Sequence, residues 1–482
     1  MSIKYMIGSW LAALLVCTAA LADDAQTVIR VASKKLGVES LKSVQYSGTG
    51  FDFAFGQAPK AGAPWPKFVD KSYVRSVDFL HLASQVDRVR VQGENPPSGG
   101  GGQPLVGEQS QSQSFLIGTD TPWTQQLEIW LLPHGFLSAA AKRTATLATT
   151  TSGGTSYRVV SFTGDNGAKV NGYIDSGDRV VRVETWIDTP VLGDTAFEAD
   201  YDDYQADNGV LFPRHIVQKQ GGYPILDLKV SQVRINPDLT IAPKSANNAP
   251  NPPVESERLG DGVYLITGGY AVIAAEFKDY VVLLESGQNE ARGLAVIAEA
   301  KRLFPGKPLK YVVNTHSHFD HSGGLRAFVA EGATILTYRA NESYLKSVLA
   351  LPHTINPDRA QTSGRKPVIE AVGEKRVLTD GKQVVEIYHL QSFLHHDGML
   401  IAYLPREKVL FEADGYNPQA ADASPPNPPN PFTVSLFDNV QRLKLDVQRV
   451  VPVHYPADGR VLTLSDLARW AGRENRAAFN GR

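Results

Sequence analysis

The sequence predicts an α+β protein with two domains, a β-rich N-terminal domain and a domain in which strands and helices alternate. The length of 482 residues exceeds the ~100 to 200 residues that one domain usually contains. Short runs of alternating apolar and polar residues dominate residues 23–236, whereas longer apolar strands and amphipathic helices occupy residues 259–482. Between them, residues 237–258 are rich in Pro and Asn and lack an apolar period, which predicts a linker.

Residues 1–22, MSIKYMIGSWLAALLVCTAALA, have the pattern of a signal peptide. A lysine precedes an apolar run that ends in the small-x-small triplet Ala20-Leu21-Ala22. A membrane anchor is the alternative, but the run is barely long enough to span a bilayer. We therefore expect cleavage, a periplasmic or secreted protein, and no stable membrane span afterwards. The only cysteine, Cys17, lies in this segment, so the mature chain should lack disulfides, thiolate ligands and a cysteine nucleophile.

The composition is that of an ordinary globular protein. Hydrophobic residues make up 42% and charged residues 20% of the chain, and the formal net charge is -2. Because there is no basic excess, we expect no nucleic-acid partner. No feature of the sequence predicts an oligomeric state.

In the N-terminal domain, runs such as YRVVSFTG, RVVRVETWI and HIVQKQ predict strands that end at Gly, Asp and Asn turns. Two helices are expected, near Asp24–Leu36 and around Leu137–Thr146. The segment Glu94–Ser114 is poor in apolar residues and rich in Gly, Ser and Gln, which predicts a mobile loop. The stretch DDYQADNGVLFPRHIVQK resembles the curved β-sheets of lipoprotein-carrier-like periplasmic domains, which implies an acyl or apolar ligand. A sandwich and a curved half-barrel both fit the alternation.

The C-terminal domain alternates strands and helices. The strands are VYLITG, YVVLLES, KYVVNT, ATILTY and RVVPVH, and GMLIAYLPREKVLFEAD predicts a hairpin that turns at Arg406 and Glu407. The predicted helices are Asn289–Phe304, Gly323–Glu331, Leu436–Leu445 and one that begins near Ser465.

The segment NTHSHFDHSGG places three histidines and an aspartate within six residues. His316 and His318 closely follow the strand KYVVNT, and Asp320 and His321 precede a helix. All four side chains are therefore expected on one tight loop at the carboxyl end of a strand. Such short spacing allows one loop to supply ligands to two metal ions.

This motif resembles the hallmark of the metallo-β-lactamase superfamily, H-x-H-x-D-H followed by a distant His, Asp and His. In SFLHHDGMLIAYLP, His395 holds the third-motif position, and its neighbour His396 is the alternative. VLFEAD ends in Asp414, which matches the bridging aspartate of the family, and VVPVHYP contributes His454. The resemblance covers about residues 259–470 and implies an αββα fold.

The sequence departs from the family pattern at two places. The first motif usually ends a strand with aspartate, but YVVLLES offers Glu285, whose role is open. Ser392 and Phe393 replace the Gly-Asn that often precedes the third-motif histidine. His353 and His389 lie in the same domain and match no motif.

The resemblance implies two metal ions per chain. His316, His318 and His395 would hold the first, and Asp320, His321 and His454 the second, while Asp414 would bridge both. Neutral imidazole and carboxylate ligands suit Zn²⁺, with Mn²⁺ or Fe²⁺ as alternatives.

The implied activity is that of a dinuclear zinc hydrolase, in which a metal-bridging hydroxide attacks an ester, lactone, thioester or related bond of a small molecule. Hydrolysis of β-lactams and a non-catalytic ligand-binding protein are the alternatives. An intact Asp414 and the absence of a mature cysteine make the chain similar to the glyoxalase II, lactonase, phosphodiesterase and alkylsulfatase branches.

Two residues are predicted to be catalytic, Asp320 and Tyr416. Tyr416 begins the proline-rich stretch Gly415–Phe432, which leaves the strand that carries Asp414. It could form a pocket wall in which the Tyr416 hydroxyl donates a hydrogen bond to an oxyanion. A solvent-exposed connector is the alternative.

Overall fold

The computed structural model describes residues 22–118, 120–164, 167–242 and 253–474. Residues 1–21 of the predicted signal peptide and residues 243–252 of the predicted linker lie outside the described residues. Within these ranges, no helix is both long and apolar enough to cross a membrane.

The N-terminal domain contains one antiparallel sheet. In the described ranges its eleven strands are β1 Ser43–Phe53, β2 Lys67–Asp78, β3 Ala83–Gln92, β4 Gln109–Leu116, β5 Thr146–Ser152, β6 Thr155–Thr163, β7 Lys169–Ile174, β8 Val180–Thr189, β9 Gly193–Asp207, β10 Val210–Gln220 and β11 Tyr223–Ile235. Their order is β4-β3-β2-β1-β11-β10-β9-β8-β7-β6-β5. Because the described residues of this domain form a single sheet, the prediction of a β-rich domain is confirmed and the sandwich alternative is wrong.

The core of this domain forms where the helices pack against the sheet. The helical segments are α1 Ala22–Leu36, α2 Leu127–Trp130, α3 Pro133–Ala141 and the 3₁₀ turns Val38–Ser40 and Trp123–Gln125. Phe136 and Leu137 of α3 are fully buried against strand residues such as Val160 and Phe212. Burial of this apolar surface is the main stabilising contribution to the domain.

Two local predictions in this domain need correction. Helix α3 begins and ends earlier than the predicted Leu137–Thr146. Pro133 suits the first helical turn, because an N–H group in that turn has no acceptor within the helix and its absence in proline costs no hydrogen bond. The predicted loop Glu94–Ser114 ends in strand β4, which the apolar pattern does not reveal. The polar side chains of β4 pair with β3 instead, and Arg88 Nε donates to Gln111 Oε1 at 2.7 Å.

Residues 253–474 of the C-terminal domain form two sheets. The first comprises β12 Glu255–Gly260, β13 Val263–Thr267, β14 Val272–Glu276, β15 Val281–Leu284, β16 Leu309–Val313, β17 Thr334–Tyr338 and β18 Val368–Val372. The second comprises β19 Lys375–Thr379, β20 Val384–His389, β21 Leu400–Leu404, β22 Val409–Glu412 and β23 Arg449–Pro452. Strands β15 to β18 run parallel, as do β22 and β23.

Helices cover the outer faces of both sheets. The helical segments of residues 253–474 are α4 Glu290–Leu303, α5 Phe319–Ser322, which belongs to the H-x-H-x-D-H loop, α6 Leu325–Glu331, α7 Glu342–Leu349, α8 Arg359–Ser363, α9 Pro431–Leu443 and α10 Leu464–Trp470. Leu284 and Phe411 belong to an apolar cluster that contains residues of both sheets. A second cluster includes Phe328 of α6, and a third joins α9 and α10. This layering confirms the expected αββα fold.

The strands bring their carboxyl ends to a shared edge of the domain. Glu285 directly follows β15, the H-x-H-x-D-H loop follows β16, and Asp414 and His454 follow β22 and β23. Residues distant in sequence therefore meet at one place, as open sheets with parallel strands generally allow.

Candidate metal centre

The loop after β16 is held by hydrogen bonds between the Asn314 side chain and the loop backbone. The side chain of Asn314 donates hydrogen bonds to the carbonyl oxygens of His316 at 2.7 Å and His321 at 3.1 Å. Gly323 and Gly324 allow the loop to lie close to the segment after β15, because a Cβ on either would approach a backbone oxygen to 2.1 Å. This packing turns His316 and His318 inward.

The structure brings the predicted ligands of the first site together. Ligand atoms of His316, His318, His395 and Asp414 all lie within 4.8 Å of one another. Asp414 Oδ2 is 3.3 Å from His316 Nε2 and 3.2 Å from His395 Nε2. All four residues are buried.

Asp320, His321 and His454, the predicted ligands of the second site, form a second group of three residues, whose ligand atoms also lie within 4.8 Å of one another. Asp414 also contacts this group, with Oδ1 2.8 Å from His454 Nε2 and Oδ2 2.8 Å from His321 Nε2. The carboxylate thus lies between the two groups, as a bridging ligand requires.

Unpaired buried nitrogens indicate that these residues fit a metal. His316 Nε2, His318 Nδ1, His321 Nε2 and His395 Nε2 are buried and make no hydrogen bond, although three of them lie within 3.3 Å of Asp414 Oδ2. Unsatisfied buried polar atoms are costly and rare. Several imidazoles directed at one carboxylate are the donor set that zinc prefers.

The electrostatics of the centre favour a cation. Burial lowers the pKa of His316 to about 3, so this imidazole is neutral and able to act as a ligand near pH 7. Burial has the same effect on His321, but the carboxylates of Asp320 and Asp414 outweigh it and raise its pKa well above the usual value. A positive charge is therefore favourable beside these carboxylates, and a metal ion could supply it in place of a proton.

Glu285 orients His321. It adopts a φ of 82°, in the left-handed region that non-glycine residues seldom occupy. Its Oε2 accepts hydrogen bonds from Thr315 Oγ1 at 2.6 Å and from His321 Nδ1 at 3.3 Å. Since Nδ1 carries the proton, Nε2 of His321 is left to face the cluster. Glu285 is therefore a hydrogen-bond partner of the predicted ligand His321, which is the role that the sequence left open.

The structure places His395, and not His396, in the cluster. His396 Nδ1 accepts a hydrogen bond from the Gly398 N–H at 2.9 Å, so its Nε2 carries the proton and lies 2.8 Å from Ser317 Oγ. Both ring nitrogens of His396 are thus engaged, whereas both of His395 are unpaired.

Tyr416 does not reach the cluster. The backbone N–H groups of Gly415 and Tyr416 donate to the Glu412 carboxylate at 2.9 and 3.2 Å. The Tyr416 ring is buried among residues of α9 and α10, and its centroid is 6.2 Å from that of Trp470. Neither the predicted wall position nor the solvent-exposed connector describes this residue, because its side chain is part of the apolar core.

Tyr270 occupies a position that sequence reasoning missed. Its hydroxyl donates to Asp320 Oδ2 at 2.8 Å, and its ring centroid is 4.7 Å from that of His454. Burial and the Asp320 charge both raise the pKa of this phenol, so it is protonated at neutral pH and keeps the proton that it donates to Asp320. The only sequence signal is the Gly268-Gly269 turn before it, and such turns are common.

Two further contacts come from the N-terminal domain and carry no motif. Gln57 Nε2 donates to Asp320 Oδ1 at 2.8 Å, and His318 Nε2 donates to the Ala58 carbonyl at 2.8 Å.

His353 and His389 lie elsewhere. His353 is 3.4 Å from Asp188 of the N-terminal domain, and His389 stacks on a tyrosine ring.

The αββα fold and the His/Asp cluster at its strand ends define a metal-binding hydrolase-type domain. Residues 267–454, which include all seven predicted ligands, match the metallo-beta-lactamase superfamily. The C-terminal domain of this chain belongs to that superfamily. No curated protein matches the chain in sequence.

Solved structures similar to the chain include metallo-beta-lactamases. The DIM-1 enzyme is 15% identical, with a TM-score of 0.35, over 47% of this chain and 99% of its own. A metallo-beta-lactamase from Pontibacter korlensis is 22% identical, with the same TM-score, over 46% and 99%. The FIM-1 enzyme from Pseudomonas aeruginosa, in its mono-zinc form, is 16% identical, with a TM-score of 0.35, over 48% of this chain and 98% of its own.

We expect the mature protein to bind about two zinc ions, as two three-ligand groups and a shared carboxylate require. Asp414→Ala should lower the occupancy of both sites, because its two oxygens face both groups, and His454→Ala should empty mainly the second. Elemental analysis after mild dialysis measures this. His81→Ala, an exposed histidine of the N-terminal domain, is the control and should retain both ions. Equal losses in the Asp414 and His454 variants would contradict the assignment.

The neighbouring histidines should respond differently to truncation. His395→Ala should lower metal content, because it removes unpaired nitrogens that face the cluster. His396→Ala should retain metal but lower the free energy of unfolding by about 1 to 3 kcal/mol, since it leaves buried hydrogen-bonding groups without a partner. Metal analysis and denaturant unfolding distinguish the two. Metal loss in the His396 variant alone would place the ligand one residue later.

Proposed function

We propose that the chain is an exported, dinuclear zinc hydrolase that cleaves an ester, lactone, thioester or related bond in a small molecule. The observation that supports this most strongly is the set of unpaired imidazole nitrogens of His316, His321 and His395 within 3.3 Å of Asp414 Oδ2. Zinc ions bound there would supply Lewis acidity and lower the pKa of water towards neutrality. No side-chain nucleophile is then needed.

The protein residues hold and orient the proposed centre. His316, His318 and His395 would bind one ion, Asp320, His321 and His454 the other, and Asp414 both. Hydrogen bonds to Glu285 and Thr315 fix the ring orientations of His321 and His316. Ligands held in this way need little rearrangement when they bind a metal.

Differences in exposure indicate the side from which substrate approaches. The first group is buried, whereas the side chains of Asp320 and His454 are 29% and 32% exposed. A substrate would therefore reach the centre beside the second group, where Tyr270 is half-buried. Its hydroxyl donates its single proton to Asp320 Oδ2, so Tyr270 would orient this ligand on the side from which substrate approaches.

An apolar cavity in the N-terminal domain supports an acyl or apolar ligand. It has a volume of about 350 Å³ and is lined by Ile117, Trp123, Trp130 and Phe162, among others. This volume is at the lower end of the range of small-molecule sites. Long-chain esters therefore belong in the search for substrates alongside short ones.

The test is a panel of chromogenic substrates given to the zinc-loaded full-length protein. The panel contains short- and long-chain esters, lactones, thioesters, β-lactams, sulfates and phosphodiesters. We expect hydrolysis of a carbonyl substrate, its loss in chelator, recovery on return of zinc, and no activity in Asp414→Ala. Activity that persists in chelator would reject the metal mechanism. A metal-loaded protein inert on the whole panel would favour the non-catalytic ligand-binding alternative.

Tyr270→Phe should lower kcat by about tenfold or more on the active substrate, because it removes the hydrogen bond that orients Asp320 at the exposed side of the centre. Tyr416→Phe is the matched control and should leave kcat nearly unchanged, since that ring is buried against Trp470. Steady-state kinetics, with metal content checked in each variant, measure both effects. A large loss from Tyr416→Phe alone would restore the role predicted from the sequence.

A further inference from the structure

A loop of the N-terminal domain lies directly on the predicted metal ligands. Residues 54–66 connect β1 to β2 and extend from the sheet to the H-x-H-x-D-H loop. Pro59 accepts a hydrogen bond through its carbonyl from the Asp397 N–H at 2.8 Å, and Gly56 accepts one from the Phe319 N–H at 3.1 Å. Backbone bonds to two segments of the C-terminal domain thus fix the position of this loop.

Aromatic packing strengthens the contact. Phe319, which lies between the ligands His318 and Asp320, packs against Phe55 at a centroid distance of 5.2 Å and against Trp65 at 6.2 Å. Gly56 makes this approach possible, because its φ is +73° and a Cβ there would lie 2.4 Å from the Phe319 ring.

The loop determines which nitrogen of His318 can bind a metal. A carbonyl oxygen only accepts hydrogen bonds, so the 2.8 Å contact with Ala58 requires the proton on His318 Nε2. The other nitrogen, Nδ1, then carries the lone pair. Nδ1 is also the atom that is buried without a partner in the cluster.

The same loop restrains a ligand of the second group. Asp320 can rotate about its side-chain bonds, and its Oδ2 already accepts from Tyr270. Gln57 Nε2 binds the other oxygen, Oδ1, at 2.8 Å. With both oxygens held, the carboxylate has a fixed orientation towards His321 and His454.

We propose that residues 54–66 complete the metal centre from the N-terminal domain: the Ala58 carbonyl sets the tautomer of His318, and Gln57 is a positioning residue for Asp320. This inference rests on the proposed function and deepens it, because it assigns the N-terminal domain a part in metal binding. Outer-shell partners of this kind typically change metal affinity by about 10- to 100-fold.

The test uses Gln57→Ala in the full-length mature protein, with zinc affinities measured by chelator competition and the second site followed by the absorption bands of bound Co²⁺. We expect affinity for the second ion to fall about tenfold or more, with a shift in the Co²⁺ bands, and affinity for the first ion to stay unchanged. Gln103→Ala, at an exposed glutamine of the same domain, is the matched control and should bind as the wild type does.

A second variant tests the Ala58 contact. Gly56→Val should displace the loop from Phe319 and weaken binding of both ions, while thermal unfolding shows whether the two domains remain folded. If Gln57→Ala binds both ions as tightly as Gln103→Ala, the positioning role is wrong. If a folded Gly56→Val protein keeps its affinity for the first ion, the Ala58 role is wrong. A wild-type protein that binds no metal would instead reject the proposed function itself.

Discussion

The carboxylate of Asp414 is the group on which the organisation of the C-terminal domain depends. It is 2% exposed and has imidazole nitrogens of His321 and His454 at 2.8 Å. An isolated buried charge is strongly unfavourable, so its surroundings must supply positive charge. Burial raises the pKa of this carboxyl, but the neighbouring imidazoles more than offset it and hold the pKa well below the usual value. The site is therefore built to remain anionic, and a metal ion is the partner that satisfies the carboxylate and the unpaired nitrogens together.

The fold meets this requirement by ending strands of two sheets at one edge and accepting local strain there. Asp414 and Glu285 both follow a strand, and both have positive φ values, 56° and 82°. Non-glycine residues in this region cost roughly 1 to 3 kcal/mol each and persist where surrounding contacts fix them. Here the contacts are the apolar cluster shared by the two sheets and the hydrogen bonds around Thr315. The surrounding contacts thus stabilise two strained residues, Asp414, which is itself a predicted ligand, and Glu285, which orients the predicted ligand His321.

The parts of the fold and of the metal centre that could be predicted are those that a recognisable sequence motif signals. The αββα fold, the choice of His395 and the grouping of the predicted ligands follow from a local motif and from partners at strand ends, apart from His395, which lies in the loop between β20 and β21. Tyr270, Gln57 and Ala58 could not be found, because a tyrosine after a glycine turn, a glutamine and a backbone carbonyl have no distinctive pattern. The prediction for Tyr416 was wrong for a related reason. The sequence shows that its segment begins beside Asp414, but it does not show the hydrogen bonds to Glu412 that turn the backbone. Strand β4 was missed because backbone pairing and polar partners, rather than burial, hold it.

The domain contact and the metal centre are linked thermodynamically. Separation of the domains would leave His318 Nε2 and Asp320 Oδ1 without the partners they have at 2.8 Å, and would expose Phe319. If the docked loop favours metal binding, the bound metal must favour docking by the same free energy, because the coupling between two equilibria is reciprocal. The N-terminal domain would then act on the centre without supplying a ligand. Since its loop covers His318 and leaves Asp320 and His454 partly exposed, it would also limit the approach of the proposed substrate to the side of Tyr270.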